Sequence, residues 1–107
     1  MKLKHIVLVK FKPNCSQQAI ANCLAELASL QQILPGIESF SSGEYSSHEG
    51  LNRGFTHCFE MTFSDATQRD HYLIAPEHVK VADKLLDLCA KEEGELQLIA
   101  FDYFLTR

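Results

Sequence analysis

Leu3-Lys4-His5-Ile6-Val7-Leu8-Val9-Lys10-Phe11 keeps an apolar residue at nearly every second position, and Phe55-Thr56-His57-Cys58-Phe59-Glu60-Met61-Thr62-Phe63 repeats the pattern. Alternate side chains of a β-strand share a face, so both segments read as strands with one buried side. His5 then lies with Leu3, Val7, Val9 and Phe11, and His57 with Phe55, Phe59, Met61 and Phe63. An imidazole on an apolar face needs a hydrogen-bond partner, a pocket or a ligand, because burying it unpaired costs roughly 1–3 kcal/mol. Two histidines at matched positions suggest a shared site.

Between the two strands, Pro13-Asn14-Cys15-Ser16 breaks the chain and offers Ser16 as an N-cap. Ile20, Cys23, Leu24, Leu27, Leu30 and Leu34 recur at helical spacing, and Pro35-Gly36 stops the helix. Ile37 to Ser42 reads as a weak second strand, and the polar stretch from Gly43 to Gly54 as a surface loop. After the third strand, Asp65-Ala66-Thr67-Gln68 has the form of a capping box. The short helix it opens ends before Pro76, which is placed to start another. That helix is expected to run towards Glu92 and to bury Val79, Ala82, Leu85, Leu86 and either Leu88 or Cys89. Gly94 breaks it, and Glu95 to Phe104 forms the last strand.

The order βαββαβ, with its second helix split by a proline, predicts one α+β ferredoxin-like domain over residues 1–107, with a four-stranded sheet of antiparallel type. The first and third strands are expected side by side in the centre. They are expected to run parallel there, which would make His5 and His57 neighbours. Ile6, Leu8, Thr56 and Cys58 occupy the opposite face, which the helices cannot also cover. A homodimer joined through that face of the sheet would hide it.

At 107 residues, with 46% hydrophobic and 22% charged, the chain has a globular composition, and its net charge of −4 offers no basic footprint for nucleic acid. No apolar run approaches the roughly 18–20 residues of a membrane span. The first residues lead straight into a strand without a secretory apolar core, and the four cysteines form no Cys-x-x-Cys pair. Both features favour a cytoplasmic protein with reduced thiols. Cys23 and Cys58 read as small packing residues rather than nucleophiles.

Several short segments together resemble the stress-responsive A/B-barrel domain family of dimeric α+β barrel proteins. They are His5 to Lys12, Leu34-Pro35-Gly36-Ile37, Gly54-Phe55-Thr56-His57, Met61-Thr62-Phe63, Tyr72 to His78 and Phe101-Asp102-Tyr103. The likeness runs over nearly the whole chain and implies a dimer whose sheets close a barrel. One plant branch, the polyketide cyclases of the olivetolic acid type, closes a poly-β-keto chain by intramolecular aldol condensation. That likeness implies functional roles for His5, His57, Tyr72, His78 and Asp102, with no metal and no cofactor. Ala75 departs from a family pattern that often places histidine there, and Glu77 replaces a small residue.

An aldol cyclisation needs a base for a proton between two carbonyls and a donor for the developing oxyanion. Imidazole, with an ordinary pKa of about 6.5, suits the first task. His78 falls at the third position of the helix that Pro76 begins, where the helix dipole favours the neutral ring and Glu77 opposes it. Tyr72 is placed as the oxyanion donor, and Asp102 as the carboxylate that fixes the tautomer of His78. His5, His57 and Phe59 would bind the substrate, a small hydrophobic or carbonyl compound.

Each residue also has an ordinary structural reading. Tyr72 can pack its ring and leave its hydroxyl in water, His78 can be an exposed helix-start residue, and Asp102 can be a solvated strand end. His48 and His71, in polar surroundings, read as surface residues. Three histidines suffice in number for catalytic zinc, but their spacing lacks His-x-His or His-x-x-x-His. A second functional reading is a dimeric stress-associated protein that binds a hydrophobic metabolite or a protein partner unchanged, with Ser41-Ser42-Gly43 and the following loop on the partner surface. An oxygen-using or haem-handling role has no mark in the sequence beyond unassigned histidines.

Overall fold

A computed structural model describes residues 1–106. Its elements, in chain order, are β1 (Leu3–Val9), α1 (Gln17–Ile33), β2 (Ile37–Glu44), β3 (His57–Phe63), α2 (Ala66–Ile74), α3 (Pro76–Leu88), the two-residue strands β4 (Lys91–Glu92) and β5 (Glu95–Leu96), and β6 (Leu98–Phe104). The main sheet has the order β2-β3-β1-β6, and every neighbouring pair is antiparallel. This is the expected ferredoxin-like α+β arrangement, with β1 and β3 central.

The two central strands do not run parallel. Leu3 pairs with Phe63 and Val9 with His57, so His5 stands opposite Met61. A β-hairpin joining β2 to β3 reverses the chain, and this reversal sets β3 against β1. His5 and His57 share a face but are separated along it by four residues, or about 13 Å at strand rise. The row formed by Val7 and Phe59, both buried, lies between them.

β1 alternates strictly, with Leu3, His5, Val7 and Val9 buried and the residues between them half-buried. Phe59, Met61 and Phe63 continue this core face on β3, while Cys23, Leu27 and Leu30 of α1 cover it. Ser16 caps α1 by accepting from the Ala19 N–H at 3.0 Å. Asp65 accepts from the Gln68 N–H at 2.9 Å, but Gln68 Oε1 is buried without a partner, so the reciprocal half of the capping box is not made.

α3 buries Leu85 of the expected stripe, with Cys89 buried just after it, but is rotated away from the rest. Val81 and Leu85 are buried and His78 and Leu88 half-buried, whereas Val79 and Leu86 are exposed. Positions 78, 81, 85 and 88 form one helical stripe as good as 79, 82 and 86. The chosen rotation turns His78 inward against Tyr72. The helix stops at Leu88, earlier than expected, and Lys91 to Leu96 forms a separate hairpin with Glu93 and Gly94 at positive φ. Two such residues match a primed two-residue turn, so the final strand proper starts only at Leu98. β2 instead extends through Gly43 and Glu44, which pair with Cys58 and His57.

The other sheet face is open. Ile99, Phe101 and Tyr103 are 44%, 63% and 42% exposed, beside half-buried Ile6, Leu8 and Cys58. No helix among the described residues is long and apolar enough to cross a membrane.

Gly36 ends the α1 connection at φ +89°, where an added Cβ would lie 2.4 Å from the Cβ of Gln68. Gly36→Ala should lower stability by about 3 kcal/mol, combining left-handed strain with a collision against a helical side chain. Gly50→Ala, at φ +69° with nothing within 4 Å, should cost only about 1 kcal/mol. Urea unfolding of both variants checks the contrast.

Candidate active site

Strand register places Asp102 of β6 directly opposite His5. Its Oδ1 lies 2.5 Å from His5 Nδ1, while its Oδ2 accepts from an Arg69 guanidinium N–H at 2.7 Å. The buried imidazole required by the alternation thus has a carboxylate partner. Arg69 reaches the carboxylate from α2, one helical turn before Tyr72, and its Nε–H donates to Asp70 at 2.8 Å.

Tyr72 is 2% exposed. Its ring centroid is 6.2 Å from that of His5 and 4.1 Å from that of His78, with Phe63 at 5.1 Å. Burial pushes the Tyr72 phenol well above its ordinary pKa, so the hydroxyl stays protonated and able to donate. The Tyr72 ring is packed into the core.

His78 Nδ1 lies 3.2 Å from the Leu73 carbonyl oxygen. A carbonyl only accepts, so Nδ1 carries the proton and the neutral ring keeps its lone pair on Nε2. The proline break supplies this contact: the chain turns at Ala75, and the end of α2 presents a backbone acceptor to the start of α3. The partner expected from sequence, Asp102, bonds His5 instead. Burial is the main cause that lowers the His78 pKa, and the backbone bond opposes it; a positive charge on His5 would lower it further. The sign left open by the helix dipole and Glu77 is therefore downward.

The structure brings together His5, Tyr72, His78 and Asp102, and adds Arg69. His57 stands apart. Its ring packs edge-on against Phe11 at 5.0 Å, its Nδ1 is 2.8 Å from the Thr56 hydroxyl, and its Nε2 is 3.7 Å from a Glu44 carboxylate oxygen. It walls two cavities. One, of about 190 Å³, lies against Ile20, Ala21 and Leu24 of α1. The other, of about 240 Å³, lies beneath the loop before β3 and includes Leu8, Leu51, Phe55 and Ile99. Phe59 is 3% exposed and stacked on Phe40, between the two histidines. His48 and His71 are exposed. The four cysteines are free thiols, and burial pushes those of Cys23, Cys58 and Cys89 upward, away from the reactive thiolate.

Arg69 was legible only indirectly. Its i, i+3 spacing from Tyr72 puts both on one helix face, but no sequence pattern pairs it with Asp102, 33 residues away.

A family model, the stress responsive A/B barrel domain, matches residues 3–105. The chain belongs to that family. It is 32% identical to stress-response A/B barrel domain-containing protein HS1 of Arabidopsis thaliana over 80 residues, which cover 75% of this chain and 73% of that protein. It is 26% identical to olivetolic acid cyclase of Cannabis sativa over 103 residues, 96% of each chain. A dimeric ferredoxin-like protein of unknown function from Jannaschia sp. CCS1 superposes with a TM-score of 0.86 at 23% identity, covering 98% of this chain and 100% of that one, and shares the fold.

A histidine whose pKa is lowered by folding takes up protons more readily when unfolded. Stability linked to His78 is therefore complete above the ordinary histidine pKa of about 6.5 and declines as pH falls below it. Urea midpoints measured from neutral pH downward should fall more steeply for the wild type than for His78→Gln, whose side chain does not titrate in this range.

Proposed function

We propose that this A/B barrel protein is a cofactor-independent acid–base enzyme acting on a small carbonyl compound, with polyketide-cyclase-like chemistry as its best-supported form. The observation that carries this reading is the His78 tautomer: Nδ1 is committed to the Leu73 carbonyl, Nε2 is a free base, and a buried protonated phenol lies against the same ring. In an aldol cyclisation, His78 Nε2 would take the proton from a carbon flanked by two carbonyls. The resulting enolate carbon would bond to a ketone carbon further along the substrate. Tyr72 would hold the ketone oxygen as it becomes an alkoxide, and His78 would return the proton to it. Asp102 supports this arrangement through His5. His57, with Phe59, would meet the far end of an extended substrate and takes no part in proton transfer.

The working form in this reading is a cytoplasmic homodimer joined through the open sheet face, as the dimeric Jannaschia protein and the exposed row Ile99, Phe101 and Tyr103 both suggest. A second reading, capture of a hydrophobic metabolite without conversion, is favoured by the two cavities that meet at His57 rather than at His78.

Turnover of a panel of linear poly-β-keto thioesters and acids separates the two readings. His78→Ala should lose about 10²–10⁴-fold in rate and Tyr72→Phe about 10²–10³-fold. Wild-type protein that turns over no member of the panel but retains one unchanged would favour the binding role. Sedimentation should give a dimer for the wild type and a monomer for Phe101→Glu; a monomeric wild type would remove the sheet interface from the proposal.

A further inference from the structure

The Arg69–Asp102–His5 chain reaches beyond the acid–base pair. Asp102 is the only ionised side chain in direct contact with His5 among the described residues, and it is shared with a permanent cation. The other groups facing His5 are Met61 of β3, opposite it in the sheet, the Phe63 ring of the same strand, and Tyr72 of α2 with His78 of α3 beyond that ring. Asp70 sits on the far side of Arg69. The side chains of Arg69, Asp102 and His5 are 22%, 24% and 9% exposed, so solvent screens their charges only partly.

A lone carboxylate against an imidazole draws a second proton onto the ring. Here Arg69 takes one carboxylate oxygen and offsets its charge, leaving the other oxygen to accept from Nδ1–H. We propose that Arg69 is the positioning residue of this cluster: by gripping and neutralising Asp102, it holds His5 as a neutral Nδ1–H ring whose Nε2, on the far side from Asp102, is a hydrogen-bond acceptor for a hydroxyl or enol of the ligand. A neutral His5 also keeps positive charge away from His78, where that charge would oppose protonation during the reaction. The consequence for catalysis rests on the acid–base reading above, whereas the effect on His5 does not.

Nitrogen-15 NMR of the His5 ring, at one fixed pH near neutrality, tests this in the intact protein. In Arg69→Met, the ratio of doubly protonated to neutral His5 should rise roughly tenfold, the lower end of what one neighbouring charge does to a proton equilibrium. Arg69→Lys, which keeps the charge, should return most of the neutral signature. Arg69→Gln, which keeps a hydrogen bond to Asp102 without the charge, should behave like methionine and serves the same comparison if the methionine variant does not fold. An unchanged His5 signal in the uncharged variants overturns the proposal, as does a lysine variant no different from them. If the signal shifts as expected but no variant and no wild type turns over any substrate, Arg69 keeps its role and the enzymatic reading falls. If the wild type is active and the signal does not move, the reverse holds.

Discussion

A histidine on the buried side of a central strand depends on what its neighbours bring to it. In this protein the antiparallel pairing of β1 with β6 delivers Asp102 to His5, and α2 delivers Arg69 to Asp102. Without that pairing the imidazole would sit unpartnered among Leu3, Val7 and Phe63, at a cost comparable to a substantial fraction of a small domain's stability. The polar chain ties α2 to the β1–β6 pair, whose own register the backbone ladder sets. Their placement in turn brings Tyr72 over the same corner of the sheet and leaves a stripe of α3, with His78 in it, to close the cluster.

The resulting site is asymmetric. One end holds two histidines, a buried phenol and a carboxylate–guanidinium pair, packed between the sheet and the split helix. The other end holds His57, Glu44 and the cavities. Phe59 and Val7 separate them. The acid–base groups therefore lie in the more closely packed region, where low polarity strengthens each interaction, while the roomier region is lined mainly by apolar side chains. Pro76 links the two halves of the helical layer. It ends α2 so that the Leu73 carbonyl stays available to His78, and this backbone contact takes the place of the carboxylate that commonly orients a catalytic imidazole.

Much of this architecture was legible in single residues. Ser16, Asp65, Gly36 and Pro76 marked helix boundaries by their own chemistry, and alternation from Leu3 to Phe11 identified the buried strand face. Reading failed where two patterns competed. Val79 and Leu86 offered α3 an apolar stripe, and a residue-type count could not see that His78 would take a half-buried position beside Val81 and Leu85. It failed again at Glu93-Gly94, where a two-residue hairpin was hidden inside what resembled the start of a strand. Arg69 was missed because its partner comes from the far end of the chain.

The sequence alone determined which side of β1 and of β3 faces inward, because an unbroken period of two assigns each residue to a face whatever its neighbours. It also determined the split helix and the family likeness. Strand direction and register were decided only by the tertiary structure, since the same alternation suits either orientation and any even shift along the partner. That choice separates His57 from His5 and gives Asp102 to His5 instead of His78. It thereby decides which of the candidate residues can act on one ligand atom together.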